Sequence, residues 1–311
     1  MQKNLYDLLK KDIKLTDLSI RTIFRDCQTF KKRKEYHPYS KVCDKYKENE
    51  YKQFKNDFYN NFKIENSINS FKYKVKGLLT GYYEPAIKAY SFQKDGTYPI
   101  YKHPGTSLEK LRIDVTRKEI NNGYLRDRNL EIAWVENEIE AFFLHIQGSG
   151  RLILDGEKIV KVRFAGSNNK KYTSLGKILV DKGYLSSKEI DMYKIKEWLH
   201  KNKVLAQKFM NMNERYIFFE EYKGKIRGSG GVDLVSNVSV AVDKRYFKKG
   251  EAVIIQNESE KKDIIIGIAH DEGAAIKGHS RIDLFLGFGM NAEKKAAKLK
   301  KKIFAWKLVP M

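Results

Sequence analysis

A mainly β protein with helices at its start is the fold class this sequence predicts. Three features carry that expectation. Apolar residues in the first 70 positions recur at helical spacing. After about Phe71, short β-type segments alternate with turn residues. No internal repeat or low-complexity linker interrupts them. A helical start followed by many short strands points to barrels rather than a doubly wound sheet.

From Tyr39 the apolar residues Val42, Tyr46, Tyr51, Phe54, Phe58 and Phe62 fall close to three-and-four spacing, and Ser19 to Phe30 gives a second helical stretch. Expected strands are Tyr73–Thr80, Glu131–Glu136, Ala141–Gln147, Arg151–Leu154 and Lys158–Phe164. Two helices follow, Ser174–Lys182 and Ser187–Lys201, the second preceded by a Ser-Ser capping signal. Strands return at Tyr216–Phe219, Val238–Val242, Ala252–Gln256, Ile264–Ala269 and Ile282–Leu286. Asn291–Lys302 reads as a helix and Ile303–Val309 as the last strand.

The 311 residues suffice for one large domain or two ordinary ones, and 19 Tyr with 17 Phe argue against disorder. A net charge of +22 is compatible with nucleic acid, an anionic surface or an acidic polymer as partner, or with codon composition alone. The only dense basic run, Lys294–Lys302, fits a solvated helix face, so no nucleic acid is expected. Cys27 and Cys43, 16 residues apart, are either two buried thiols or a bridge worth roughly 3 kcal/mol in the chain-entropy model. No run of about 18 apolar residues is present.

Several chemistries lack their motifs. There is no GxxxxGK[ST] loop, no GxGxxG, no His-Glu-x-x-His and no Gly-x-Ser-x-Gly elbow, and the six histidines are scattered. Neither metal nor cofactor is expected. What remains is a set of carboxylates in the last third: Asp243 ending Ala241-Val242-Asp243, Asp271 after the apolar run Ile264–Ala269, and Asp283 within Arg281-Ile282-Asp283-Leu284. Each interrupts a stretch that should be buried, which costs several kcal/mol unless the group is paired or protonated. A carboxylic acid kept protonated near neutral pH is what glycosidic-bond cleavage uses as its general acid. Spacing alone does not bring the three together.

Ile268-Ala269-His270-Asp271-Glu272-Gly273-Ala274-Ala275-Ile276-Lys277-Gly278, followed by Arg281–Phe285 and Gly287-Phe288-Gly289, resembles the C-terminal three-aspartate domain of the membrane-bound lytic transglycosylase A family. Gly77-Leu78-Leu79-Thr80-Gly81-Tyr82-Tyr83-Glu84-Pro85 is similar to its Thr-Gly-Tyr-Tyr-Glu-Pro signature. Phe142–Arg151 is similar to its Gln-Gly-Ser-Gly block, and Phe164–Asn168 with Tyr172–Gly176 to the segment that follows. The likeness covers about Gly77 to Pro310. Glu272 and Ala274 depart from the family's Thr and Gly, and Phe247-Lys248-Lys249-Gly250 lacks its Pro-Leu.

The resemblance implies a six-stranded double-psi β-barrel domain, residues 1–100 and 205–311 with the N-terminal helices, and an inserted smaller β-barrel domain, 101–204, forming the other wall of a glycan groove. It implies cleavage of the β-1,4 bond between N-acetylmuramic acid and N-acetylglucosamine without water, the muramic C6 hydroxyl attacking its own anomeric carbon. Asp271 matches the catalytic aspartate, with Asp283 and Asp243 as supporting carboxylates. Thr80, Tyr82, Tyr83, Glu84, Gln147, Ser149, Gly150, Asn168 and Lys277 are the expected glycan contacts. Phe143, His145 and Gln147 would share one face of a strand, and Gly148-Ser149-Gly150 would let backbone approach a ligand. The partner is then peptidoglycan, met by a monomer. Export to the periplasm with attachment to the outer membrane is expected, although no signal sequence and no lipid-bearing Cys begin this chain. An oxidising compartment would make the Cys27–Cys43 bridge feasible. The competing readings are a barrel that grips glycan without cutting it and a nucleic-acid binder.

Overall fold

A computed structural model describes residues 13–65, 77–105, 115–187 and 190–311. The expected strand positions 73–76 and helix positions 188 and 189 lie outside the described residues. The chain forms two compact units. The first draws on the chain up to Tyr82, on Lys225–Gly287 and on Leu299–Met311, and the second on Tyr83–Gly224 and Phe288–Lys298. The insert expected from sequence, 101–204, is narrower than this second unit.

The first unit starts with helices α1 (Ile13–Lys32), α2 (Ser40–Cys43) and α3 (Tyr51–Asn61). Its strands are β1 (Phe62–Glu65), β2 (Gly77–Glu84), β9 (Ser239–Val242), β10 (Ala252–Asn257), β11 (Ile264–Glu272), β12 (Arg281–Phe288) and β13 (Lys300–Pro310). They order as β1-β13-β10-β11-β9-β12-β2, and β13 also pairs with β2, so six of the seven close into a barrel-like ring. β9 and β11 run parallel while β10 is antiparallel to β11. The continuous apolar run Ile264–Ala269 follows from cover on both faces. Ile266 and Ile268 pack in one cluster with Ile23, Phe24, Phe54 and Phe58 of the helices, and Ser19 Oγ of α1 donates to the Ile266 carbonyl at 2.9 Å. Phe54 and Phe58 are wholly buried, each worth about 1.5–3 kcal/mol in transfer terms.

A disulfide joins Cys27 in α1 to Cys43 at the end of α2 within that cluster, with Cα atoms 5.9 Å apart. His37 completes the one metal-type donor cluster among the described residues, but both sulfurs are spent in the bridge. The helical run expected from Tyr39 is two helices with a break at Asp44–Glu50, and Phe62 already belongs to β1. No helix among the described residues is long and apolar enough to cross a membrane.

The second unit contains β3 (Ala86–Tyr90), β4 (Tyr98–Tyr101), β5 (Glu131–Val135), β6 (Ser149–Leu154), β7 (Lys158–Ser167) and β8 (Ile217–Glu221), ordered β4-β5-β3-β6-β7-β8. A bridge between Lys102 and Phe219 links the two edges. Its helices are α4 (Arg117–Glu119) with a π turn over Ile120–Tyr124, α5 (Glu138–Gln147), α6 (Leu175–Asp181), α7 (Met192–Lys201), α8 (Lys203–Asn211) and α9 (Gly289–Lys298).

Three expectations change here. Ala141–Gln147 is helix α5, not a strand. Asn137 Oδ1 caps it by accepting the Ile139 N–H at 2.8 Å, and left-handed Gly148 ends it. Helix α7 starts at Asp191, whose carboxylate accepts the Lys194 N–H, rather than at the Ser-Ser pair. The helix expected over Asn291–Lys302 stops at Lys298, because Lys300–Lys302 pair with Leu78–Thr80 at the start of β13.

Candidate active site

Asp271 lies near the end of β11, and a fault in that strand sets its direction. Ala269 pairs with Val240 of β9, yet Asp271 pairs with the very next residue, Ala241, leaving His270 as an extra residue in a bulge. Residues directly paired share a face, and neighbours along a strand alternate. Without the bulge Asp271 would point with Ala269. With it, Asp271 shares the face of Ala241, and so does Asp283 of β12, which also pairs with Ala241. The two aspartates therefore sit two strands apart, about 10 Å between backbones by strand spacing, with only a methyl group between them.

The bulge is held from both sides. His270 points into the core, where Nε2 meets Asp26 Oδ2 at 2.7 Å and Nδ1 meets Ser239 Oγ at 2.7 Å. All three side chains are buried. Burial works to raise the Asp26 pKa, but the His270 and Arg25 contacts outweigh it and hold the carboxyl below its ordinary value. The His270 carbonyl accepts the Gly230 N–H at 2.9 Å. A Cβ on Gly228 would collide with that carbonyl, so only glycine lets the 228–231 loop come this close.

The same loop reaches the Asp271 carboxylate. Oδ1 accepts the N–H groups of Ser229 and Glu272, both at 2.9 Å, and Oδ2 accepts the Tyr82 hydroxyl at 3.0 Å. Burial raises the Asp271 pKa above the usual carboxylate value, and these three donors together with the Ser229 side chain oppose it without cancelling it. Two N–H donors occupy Oδ1, so the titrating proton belongs on Oδ2, beside the Tyr82 oxygen. The Tyr82 hydroxyl is itself held far above its ordinary pKa by burial and by Asp271, so it stays a donor. Its ring rests against Phe285, 5.3 Å between centroids.

Asp283 accepts the Thr80 hydroxyl at 2.6 Å, and Thr80 Oγ1 accepts from Arg281 Nη1 at 2.8 Å. Burial first, and then the Asp271 charge, raise the Asp283 pKa against the Thr80 bond and the Arg281 charge. Asp243 behaves differently. Arg245 bonds both its oxygens and Gly278 donates to Oδ2 at 2.8 Å, which holds the carboxyl far below its usual range. Its charge is spent on Arg245 and on the 273–280 loop, not on raising the Asp271 pKa. Lys277 is exposed, and Arg281 is the cation next to the aspartate pair. Glu272 faces outward to Lys244 at 3.5 Å.

The remaining expected contacts lie in the second unit. Tyr83 and Glu84 are almost wholly buried. The Tyr83 N–H donates to Gln147 Oε1 at 3.2 Å, and Glu84 accepts from Arg151 Nε at 3.0 Å and from the Tyr222 hydroxyl at 2.6 Å. Gln147 is half-buried. Asn168 is fully buried. Its amide donates to the Val115 and Glu214 carbonyls and accepts the Tyr216 N–H, so it fixes backbone instead of facing a ligand. Gly150 is required by packing, since a Cβ there would strike Leu144, and Ser149 pairs with Arg163 at the start of β6. With α5 helical, Phe143, His145 and Gln147 do not share a strand face, and His145 turns inward.

The residues that sequence reasoning missed are Ser229, His270, Asp26, Ser239 and Arg281. Only the pair Gly228 and Gly230 around Ser229 was a visible cue to a close backbone approach.

A family described as the MltA specific insert domain matches residues 78–220, and the 3D domain family matches residues 238–309. The site-bearing unit thus defines a 3D-domain protein, and the second unit an MltA-type insert. A membrane-bound lytic murein transglycosylase A homolog of Buchnera aphidicola is 34% identical over 265 residues, spanning 78% of this chain and 72% of the relative. The Vibrio cholerae membrane-bound lytic murein transglycosylase A is 30% identical over 243 residues, 74% of this chain and 65% of its own length. A solved membrane-bound lytic murein transglycosylase from Agrobacterium tumefaciens superposes with a TM-score of 0.80 at 24% identity, covering 94% and 93% of the two chains. The chain belongs to the membrane-bound lytic murein transglycosylase A family.

Proposed function

We propose that this chain is a peptidoglycan lytic transglycosylase that cuts the β-1,4 bond between N-acetylmuramic acid and N-acetylglucosamine without water, with Asp271 as its single acid/base. The reading rests on one observation: Asp271 has a raised pKa and a partly open carboxyl whose ionised form is met by the Ser229 and Glu272 N–H groups and the Tyr82 hydroxyl, donors that Asp283, bonded by Thr80, does not have. Asp243 is locked to Arg245, and Asp283 is held toward its acid form under Thr80. A hydrolase normally needs a second carboxylate as base or nucleophile. Here that base would have to be a group already committed elsewhere.

The proton on Asp271 Oδ2 passes to the glycosidic oxygen as the C1–O bond breaks. The resulting carboxylate, stabilised by Ser229 N–H, Glu272 N–H and Tyr82, takes the proton of the muramic C6 hydroxyl while that oxygen closes on C1. The acid is restored and a 1,6-anhydro end remains, with no net water consumed. Because nucleophile and electrophile belong to one sugar, the attack is intramolecular. Thr80 and Asp283 hold the neighbouring strand face. Tyr83, Glu84, Gln147 and Ser149 act as glycan-side supports, with Asn168 and Gly150 contributing through backbone placement and Lys277 through its charge.

We further read the closed ring as a double-psi barrel and the second unit as the smaller inserted barrel. The protein is placed in the cell envelope after export, as the names of its relatives suggest for them. Digestion of purified peptidoglycan followed by mass spectrometry tests the chemistry. Anhydro-muramic ends, lost in Asp271→Asn, are expected. Reducing muramic ends would replace the mechanism with hydrolysis, and binding without any cleavage would favour a glycan-gripping module.

A further inference from the structure

Gly287-Phe288-Gly289, which joins β12 to α9, has no part in the chemistry proposed above. Phe288 is 58% exposed, although Leu284, Phe285 and Leu286 just before it are buried. Both flanking glycines are left-handed, with φ of +98° and +75°, a conformation that residues with a side chain rarely adopt. The backbone on either side is thus built to turn this one ring outward.

The ring is supported from beneath. The Arg151 guanidinium lies 3.6 Å from its centroid, against one face. Arg151 is itself held. Its Nε donates to Glu84 Oε2 at 3.0 Å, its backbone N–H donates to the Pro85 carbonyl at 2.7 Å, and its strand β6 is paired on both sides, by β3 and β7. Glu84 is buried, and its other oxygen accepts the Tyr222 hydroxyl at 2.6 Å. Burial first, and then Glu84, push the Tyr222 pKa up, so this hydroxyl remains a donor. The contacts Tyr222–Glu84–Arg151–Phe288 fix the ring before any ligand arrives, and little side-chain freedom is left to lose on binding.

What such a platform takes follows from its two surfaces. The open face of an aromatic ring carries the negative part of its quadrupole and attracts polarised C–H groups. Beside it, only the Nε and backbone N–H of Arg151 are engaged by the described residues, and the side chain stays 22% exposed, so Nη N–H groups are available to a ligand. Glu84 already balances the Arg151 charge, so the complement is a neutral acceptor rather than an anion. A ring with a face of C–H bonds and a neutral carbonyl at its rim is an N-acetylhexosamine. Ser149, two residues before Arg151 on the same face of β6, is among the glycan contacts expected from the sequence.

We propose that Phe288 and Arg151 form a stacking subsite for an N-acetylhexosamine unit of the glycan strand. The sugar's C–H face lies on the open face of Phe288, and its acetamido carbonyl accepts from an Arg151 Nη N–H. The choice of a glycan strand rests on the transglycosylase reading, but the subsite moves no proton, so binding and cleavage are separable.

The test uses the intact chain carrying Asp271→Asn, so that a bound strand persists. Calorimetry follows its titration with the β-1,4-linked hexamer of N-acetylglucosamine and with the glucose hexamer of the same linkage. The acetylated hexamer should bind saturably and more tightly than the glucose hexamer, and adding Phe288→Ala should weaken it about tenfold. Phe288→Trp should keep the affinity, and the fluorescence it adds to that of the three native tryptophans should shift with the acetylated hexamer. Because Phe288 is exposed, neither change should alter the circular dichroism. Absence of saturation in the millimolar range, unchanged affinity in Phe288→Ala, equal affinity for the two hexamers, or an unmoved signal in Phe288→Trp would overturn the proposal. Release of anhydro ends by the chain with Asp271 intact is scored separately, and together with any of those results it would leave the transglycosylase reading standing while this subsite falls.

Discussion

Replacing Tyr82 with Phe removes one oxygen and leaves the ring in place against Phe285. That oxygen donates to Asp271 Oδ2 at 3.0 Å, and the bond favours the ionised carboxylate over the acid. Hydrogen bonds to charged groups contribute about 1.5–3 kcal/mol. Asp271 is partly open to solvent, so the lower end applies, and 1.4 kcal/mol is a factor of about ten in proton affinity. The sign follows from the balance at the site. Burial raises the Asp271 pKa and Tyr82 opposes it, so deleting Tyr82 moves the pKa further up. In the proposed mechanism cleavage begins from protonated Asp271, so its rate should fall as pH rises through that pKa. In Tyr82→Phe the alkaline fall should shift to higher pH, corresponding to roughly tenfold tighter proton binding. The rate on the plateau should also drop, because the carboxylate formed in the first step has lost a donor. The measurement is the initial rate of anhydro-end release from peptidoglycan across pH, wild type against variant. An alkaline fall that stays put or moves down would refute both the role of Asp271 as acid and the placement of its proton on Oδ2.

Asp271→Asn should abolish cleavage while leaving urea stability at neutral pH unchanged or increased. A group with a raised folded-state pKa lends stability below its unfolded value and loses it as pH rises through the folded one, and Asn has no charge to bury. Asp26→Asn removes the charge that holds His270 and should cost about 3 kcal/mol in urea melts. Because the folded Asp26 pKa is depressed, the wild type carries this stability above the ordinary carboxylate range and loses it as pH falls through the lower folded value. The variant should lack that part of the acid dependence. Activity of Asp26→Asn should fall even under conditions where circular dichroism shows it folded, since the bulge that aims Asp271 would relax. Changing both Cys27 and Cys43 to Ser opens a 16-residue separation and should lower stability by about 3 kcal/mol without shifting the pH profile of cleavage.

How much of this was legible differs between core and site. The run Ile264–Ala269 read as a buried strand because burial on both faces writes itself into composition, whereas Asp271 after it could equally have been read as a turn cap. Ala141–Gln147 shows the limit of the same signal. Ala141, Phe142, Phe143, Leu144 and His145 are buried in succession, which blurs helical periodicity, and so short a mainly apolar run fits either element. The cues that distinguish them were the cap at Asn137 and left-handed Gly148, both outside the run.

The direction of Asp271 was beyond any such pattern. Strand periodicity places residues 269 and 271 on one face, and that parity would turn Asp271 away from Asp283. One inserted residue reverses it, and His270 can be that residue only because Asp26, from a helix 244 positions earlier, and Ser239, from the parallel neighbour strand, receive its ring. Ser229, from a third segment, then supplies a backbone N–H to the carboxylate it exposes. The acid/base role proposed for Asp271 thus depends on five chain segments meeting at a strand defect, α1, β2, β9, β11 and the 228–231 loop. A substitution in α1 that touches no sugar should therefore act on the chemistry as directly as one in β2.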